Sequence, residues 1–168
     1  MLYFYMQTSI EVSHNPAMSA IEVPRAPIGS ALLRLIRAHA QFGTTLLAEI
    51  GLAPPQELIL LRLDEHGTLP QSEIVRFLNR DRSTVSTTLR TMERTGLITR
   101  GASARDRRAL DVSLTDAGRA LCPAVRAAWA DLEEAAFAHL PADVRAMLVR
   151  AMGSARDALV ASTRERAQ

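Results

Sequence analysis

Twenty residues from Asp81 to Arg100, DRSTVSTTLRTMERTGLITR, leave the backbone little choice. Asp81 is a good N-cap residue, and Gly96 stands where a glycine past a helix end belongs. Between them Val85, Leu89 and Met92 fall at i, i+4 and i+7, on one face of a 3.6-residue helix. The spacing predicts a helix from Arg82 to about Thr95 that buries one narrow stripe. The rest of this helix is unusual, because Ser83, Thr84, Ser86, Thr87, Thr88 and Thr91 are mediocre helix formers. They are not scattered. The face opposite Val85 carries Ser83, Thr87, Arg90 and Arg94, flanked by Ser86, Thr84 and Thr91.

Short hydroxyls and forked guanidiniums on one exposed face are the groups that read base edges and hold phosphates. An amphipathic surface helix whose polar side happens to be Ser and Thr is the plain alternative. The flanks favour the first reading. A short helix from about Gln71 to Leu78, which would bury Ile74, Phe77 and Leu78, and the turn Asn79–Asp81 precede the Arg82 helix, giving a helix-turn-helix. After it, Leu97–Arg100 and Ala109–Leu114 alternate like strands around the polar segment GASARDRR, a hairpin with a long tip that places Arg105, Arg107 and Arg108 on a wing. A wing arginine can enter a narrow minor groove. Charge follows the same division. All basic residues are arginine, residues 79–108 carry a net +5, and the rest of the chain a net −3. A basic stretch on a mildly acidic body marks a polyanion-binding surface.

The remaining segments read as helices. Ile28, Leu32, Leu35, His39, Phe42 and Leu46 step along one helix that Gly51 ends, and a second starts after Pro54 and Pro55 and stops at Gly67. Thr68–Leu69 is strand-like. LTDAG caps a long helix at Thr115, running to about His139 and expected to kink at Pro123. The last helix begins at LPADV, with Val144, Leu148, Ala151, Ala155 and Leu159 as its apolar stripe. With 48% apolar and only 4% aromatic residues, the core is one of packed Ala and Leu helices. The expected fold is mainly α with a small β wing: a winged helix-turn-helix flanked by long helices and preceded by a flexible extension, residues 1–27.

Other chemistries find little support. Phosphate loops, dinucleotide glycine fingerprints and nucleophile turns are absent, so no enzyme is expected. His14, His39, His66 and His139 lack paired metal-ligand spacing, and neither a metal nor a cofactor is expected. Cys122, the one cysteine, reads as a small core residue rather than a redox sensor and suits a reducing cytoplasm. No apolar run reaches the ~18 to 20 residues of a membrane span, and the N-terminal residues lack the basic start of a signal peptide. Trp129 is expected at a core or dimer contact.

From Leu52 to Leu121 the motifs LP-QSEI, DRSTVS, GLITR, DRR and LTDAG together resemble the winged helix-turn-helix core of the MarR family of bacterial transcriptional regulators. The resemblance implies a homodimer on double-stranded DNA with a pseudo-palindromic operator. It assigns residues 52–114 to the DNA-binding lobe and residues 28–50 and 115–168 to dimerisation. On it, Arg82, Ser83, Thr84, Ser86, Thr87, Arg90 and Arg94 face the major groove. Arg105, Asp106, Arg107 and Arg108 belong to the wing, with Asp106 orienting the tip and Arg108 reaching the minor groove. Many relatives take phenolic or aromatic-acid effectors in a crevice between the lobes. Here that crevice would be bordered by the first two helices and the start of the Thr115 helix. Arg34, Arg37 and His39 are candidates for an anionic ligand there, against the plainer reading of surface or interface side chains. A dimeric helical adaptor that ignores DNA is the competing function.

Overall fold

A computed structural model describes residues 22–103 and 109–167. In chain order these form α1 (Pro27–Glu49), α2 (Gln56–His66), β1 (Leu69–Pro70), α3 (Gln71–Leu78), α4 (Arg82–Arg94), β2 (Ile98–Ala102), β3 (Leu110–Leu114), α5 (Asp116–Phe137) and α6 (Ala142–Arg166). Residues 1–21 of the expected extension lie outside the described residues. Just before α1, the Val23 amide donates to Ser30 Oγ (2.8 Å), whose hydroxyl donates to the Ala26 carbonyl (2.8 Å).

The three strands form an antiparallel sheet in the order β1-β3-β2. β3 pairs Val112 with both Leu69 and Arg100, and the hairpin register runs from Ile98 opposite Leu114 to Ala102 opposite Leu110. Beyond that last pair the Ser103 amide donates to the Ala109 carbonyl at 3.0 Å, closing the base of the wing. β1 is one residue later than its expected position. Pro70 sits on an edge strand, where a missing N–H interrupts no ladder.

The core gathers Ile59, Leu60 and Leu63 of α2, Ile74 of α3, Val85, Leu89 and Met92 of α4, Ile98 and Val112 of the hairpin, and Cys122 and Val125 of α5. The buried stripe of α4 is therefore the one the sequence spacing selects. Each fully buried side chain of this kind contributes roughly 1.5–3 kcal/mol relative to an exposed one, so α4 is held by its back and presents its front.

One expectation about the core needs correction. Phe77 is exposed, with the Arg62 guanidinium 5.1 Å from its ring centre; on so short a helix, Ile74 alone points fully inward. α5 continues through Pro123 without interruption. A proline within a helix removes one backbone bond, and the buried neighbours Cys122 and Val125 hold the segment in place. The apolar stripes of α1 and α6 are not buried within the chain: α6 has no buried residue, and α1 buries only Ser30 and Leu47. Leu32, Leu35, Ile36, Met147, Met152 and Leu159 are all exposed. No described helix is long and apolar enough to cross a membrane.

Candidate nucleic-acid interface

The start of α4 is fixed by Asp81. Its Oδ1 accepts from the Thr84 amide at 2.8 Å and from the Ser83 hydroxyl at 2.5 Å. These bonds, Ser83 first and Thr84 next, hold the Asp81 carboxyl well below the usual carboxylate range. The preceding turn is set by Asn79 in the left-handed region (φ 47°), a conformation asparagine tolerates. The helix end is fixed as firmly. Gly96, at φ 74°, donates to the Glu93 carbonyl (3.0 Å), and the Leu97 amide donates to the Met92 carbonyl (2.9 Å), the bond pair of a Schellman terminus.

The same turn joins α4 to α5. Thr115 caps α5 by accepting from the Gly118 amide at 3.0 Å, while its own hydroxyl donates to the Gly96 carbonyl at 2.6 Å and its amide to the Leu97 carbonyl at 3.1 Å. A β-carbon at Gly118 would lie 2.0 Å from the Leu97 carbonyl oxygen, a distance no side chain can occupy. The glycine of LTDAG is thus required by close approach of α5 to the end of α4. A further tie runs from the wing, where the Arg100 guanidinium donates from Nε (2.9 Å) and Nη2 (2.5 Å) to Glu93 Oε2 and holds that carboxyl below its usual range. Arg100 therefore adds less free charge to the face than its place in the basic stretch implies.

Of the predicted contact residues, Arg82, Ser83, Thr84, Thr87, Arg90 and Arg94 are exposed and Ser86 is half-buried. All lie on the side of α4 away from Val85, Leu89 and Met92. The nearby acids Asp81 and Glu93 are engaged as above, and Arg82, Arg90 and Arg94 form no ion pair among the described residues. The Thr87 hydroxyl donates to the Ser83 carbonyl (3.1 Å) and that of Thr88 to the Thr84 carbonyl (3.2 Å), which leaves their oxygens as acceptors outward. Arg82 and Ser86 also line a groove of about 510 Å³ with Gln71, Ser72 and Val75 of α3 and Ala109 and Leu110 at the wing base. Helix pair and wing base thus meet on one surface. Arg105, Asp106, Arg107 and Arg108 lie outside the described residues.

A second concavity, about 270 Å³, lies between α1, α2 and α5. His39 lines it, but Arg34 and Arg37 do not, and its α5 wall is the middle of that helix, Ala128, Trp129 and Leu132, rather than the start. One turn is 3.6 residues, so residue 34 points elsewhere than 39, 40, 43 and 47, whereas Arg37 shares a face with the lining residue Thr44 but lies two turns before it and outside the lining. The sequence reading passed over Glu57, which also lines this space and is 5% exposed. A lone glutamate in a helix's first turn carries no distinguishing pattern. Below the cavity, Asp64 accepts from Arg126 (2.7 Å) and Arg119 (3.0 Å), tying α2 to α5, and Arg126 chiefly holds the Asp64 carboxyl down. Cys122 is fully buried and burial pushes its thiol up, so it is a packing residue.

Comparison with known proteins agrees with this geometry. The family model described as MarR family matches residues 52–110, from the start of α2 to the second wing strand. The organic hydroperoxide resistance transcriptional regulator of Bacillus subtilis is 41% identical over 76 residues, 45% of this chain and 52% of that protein, so the match spans about half the relative's length. A probable transcriptional regulator from Pseudomonas aeruginosa superposes with a TM-score of 0.69 at 31% identity, covering 76% of this chain and 95% of that one. The PcaV transcriptional regulator from Streptomyces coelicolor, solved with its natural ligand, superposes with a TM-score of 0.71 at 26% identity over 83% and 98% of the two chains. With the family model on the winged core and solved relatives matched over nearly their whole lengths, the chain belongs to the MarR family.

Proposed function

We propose that the protein is a sequence-specific DNA-binding transcriptional repressor that acts as a homodimer and is relieved by a small ligand. The observation that carries this reading is the outer face of α4: hydroxyls, and arginines with no ion pair among the described residues, on a helix pinned at both ends. In this reading residues 52–114 are the DNA-binding lobe, and α4 enters the major groove with Arg82, Ser83, Thr84, Ser86, Thr87, Arg90 and Arg94 along it. The 100–110 wing lies at the minor groove with Arg105, Arg107 and Arg108 supplying charge and Asp106 ordering the tip. The exposed apolar faces of α1 and α6, residues 28–50 and 115–168 overall, close the dimer. A two-fold dimer reads a pseudo-palindrome with half-sites about one helical turn apart. Support for a ligand comes from the α1/α2/α5 cavity and from the ligand-bound state of the Streptomyces relative.

The test is a titration of the purified protein against the DNA flanking its own gene, at two salt concentrations, with a random duplex as control. Saturable binding to one short pseudo-palindrome, at least about a thousandfold tighter than to random DNA, is the expected result. Equal, salt-sensitive binding to both duplexes would count against sequence-specific action at this site. No binding to either would favour a DNA-independent adaptor.

A further inference from the structure

The α1/α2/α5 cavity differs from an anion site in one respect. Its charged lining residue is acidic: Glu57 is 95% hidden from solvent by its 5% exposure, and its Oε2 has no hydrogen-bond partner among the described residues. Burial raises the Glu57 carboxyl above its usual range, against the opposing hydrogen bonds of the Glu57 and Leu58 amides. The arginines that would attract a carboxylate, Arg34 and Arg37, do not line the space. The remaining walls are mostly apolar (Leu46, Leu47, Pro54, Leu132), with the hydroxyl of Thr44, which donates to the Ala40 carbonyl, and one aromatic surface, Trp129, whose ring stands 5.8 Å from that of His39 at 54°. A buried carboxylate beside an indole face is the pairing that recognises organic cations, through a charge-assisted hydrogen bond and the ring quadrupole. An aromatic acid would instead place a second carboxylate against Glu57.

We propose that this cavity takes a lipophilic organic cation, a protonated aryl-alkyl amine, with Glu57 as its counter-ion and Trp129 as its aromatic wall. The proposal rests on the ligand-responsive reading above only for its effect at DNA; binding itself is independent of it. The titratable groups facing Glu57 are few: α1 offers His39, and α5 offers Ala128, Trp129 and Leu132, none of which titrates. Amine affinity therefore rises with pH as Glu57 ionises and is lost as pH falls through the Glu57 pKa.

The experiment uses the full chain without DNA, followed by calorimetry and by the fluorescence of Trp129, the chain's single tryptophan. The probes are 4-phenylbutan-1-amine, 4-phenylbutan-1-ol and 4-phenylbutanoate. At about pH 8 the amine should bind about tenfold tighter than the alcohol, the margin of a charged over a neutral hydrogen bond, and the carboxylate weakest. The amine's affinity should fall towards about pH 5 while the alcohol's stays level. Glu57→Gln should bring amine and alcohol together, and His39→Asn should leave the pH dependence in place. Carboxylate binding as tight as amine binding in the parent protein, a pH-independent amine affinity, or no binding of any probe would each overturn the proposal. Release of operator DNA is measured separately. Amine binding without DNA release would refute the effector reading of the cavity while leaving its ligand class standing.

Discussion

Gly118→Ala tests the joint between α4 and α5. The added β-carbon would stand 2.0 Å from the Leu97 carbonyl oxygen and 3.0 Å from its carbon. An ordinary carbon–oxygen contact is about 3.3 Å or more, so the backbones must part by more than an ångström. The obstacle is a main-chain carbonyl and cannot rotate away. It is also held by the Thr115 amide at 3.1 Å, beside the 2.6 Å bond from the Thr115 hydroxyl to Gly96. Displacing α5 breaks one or both bonds, each about 1 kcal/mol, and adds strain of about 1–3 kcal/mol for overpacking. Alanine's better helix propensity returns about 1 kcal/mol. The net expectation is a loss of about 1–4 kcal/mol, read by urea unfolding at fixed protein concentration, because the apparent stability of any self-associating chain depends on it. A Gly118→Ala protein as stable as its parent would refute the reasoning. Weaker operator binding should accompany the loss, since the Leu97 turn also ends α4.

Four other outcomes follow from the same geometry. Arg90→Ala or Arg94→Ala should weaken operator binding by roughly 1–3 kcal/mol and relax specificity at one position if the side chain reads a base; equal loss on every duplex would identify a phosphate contact instead. Arg108→Ala should lower the slope of log affinity against log salt by about one, and an unchanged slope would exclude a phosphate contact there. Asp81→Ala should lower the thermal midpoint at neutral pH. Because hydrogen bonds hold the native carboxyl below its usual range, the difference from the parent is full above that range and should shrink as pH falls below about 4; a pH-independent difference would assign the effect to something other than the carboxylate cap. Leu159→Arg on the exposed face of α6 should weaken self-association in sedimentation, and an unaltered dimer would exclude that face from the interface.

α4 was legible because its constraints are local: a cap, a stripe of three apolar residues and a glycine past the end all fall within sixteen residues, and each does in the fold what its chemistry implies. The wing strands were legible from alternation, shifted by a residue or two. The stripes of α1 and α6 were read correctly as apolar but could not be read as buried or exposed, because periodicity reports a face and not what covers it. Phe77 misled for a related reason: a short helix has room for one inward residue, and hydrophobicity did not say that Ile74 would take it. The cavity was least legible. Its lining draws on three helices far apart in sequence, so Glu57 and Trp129 share no spacing, and Arg34 was grouped with His39 although five residues is not a whole number of turns. The role of Gly118 is likewise a fact about a distant carbonyl.

The bond from the Ser103 amide to the Ala109 carbonyl, 3.0 Å long, has a meaning for how such a chain can diverge. It fixes both ends of the segment between residues 103 and 109, so α4 and its supports are insulated from changes of length there. Doubling a closed loop adds only about 0.6 kcal/mol of closure entropy. The wing tip is in that sense a replaceable part: it can be lengthened, shortened or recharged, by evolution or by a designer, while the reading head stays as built.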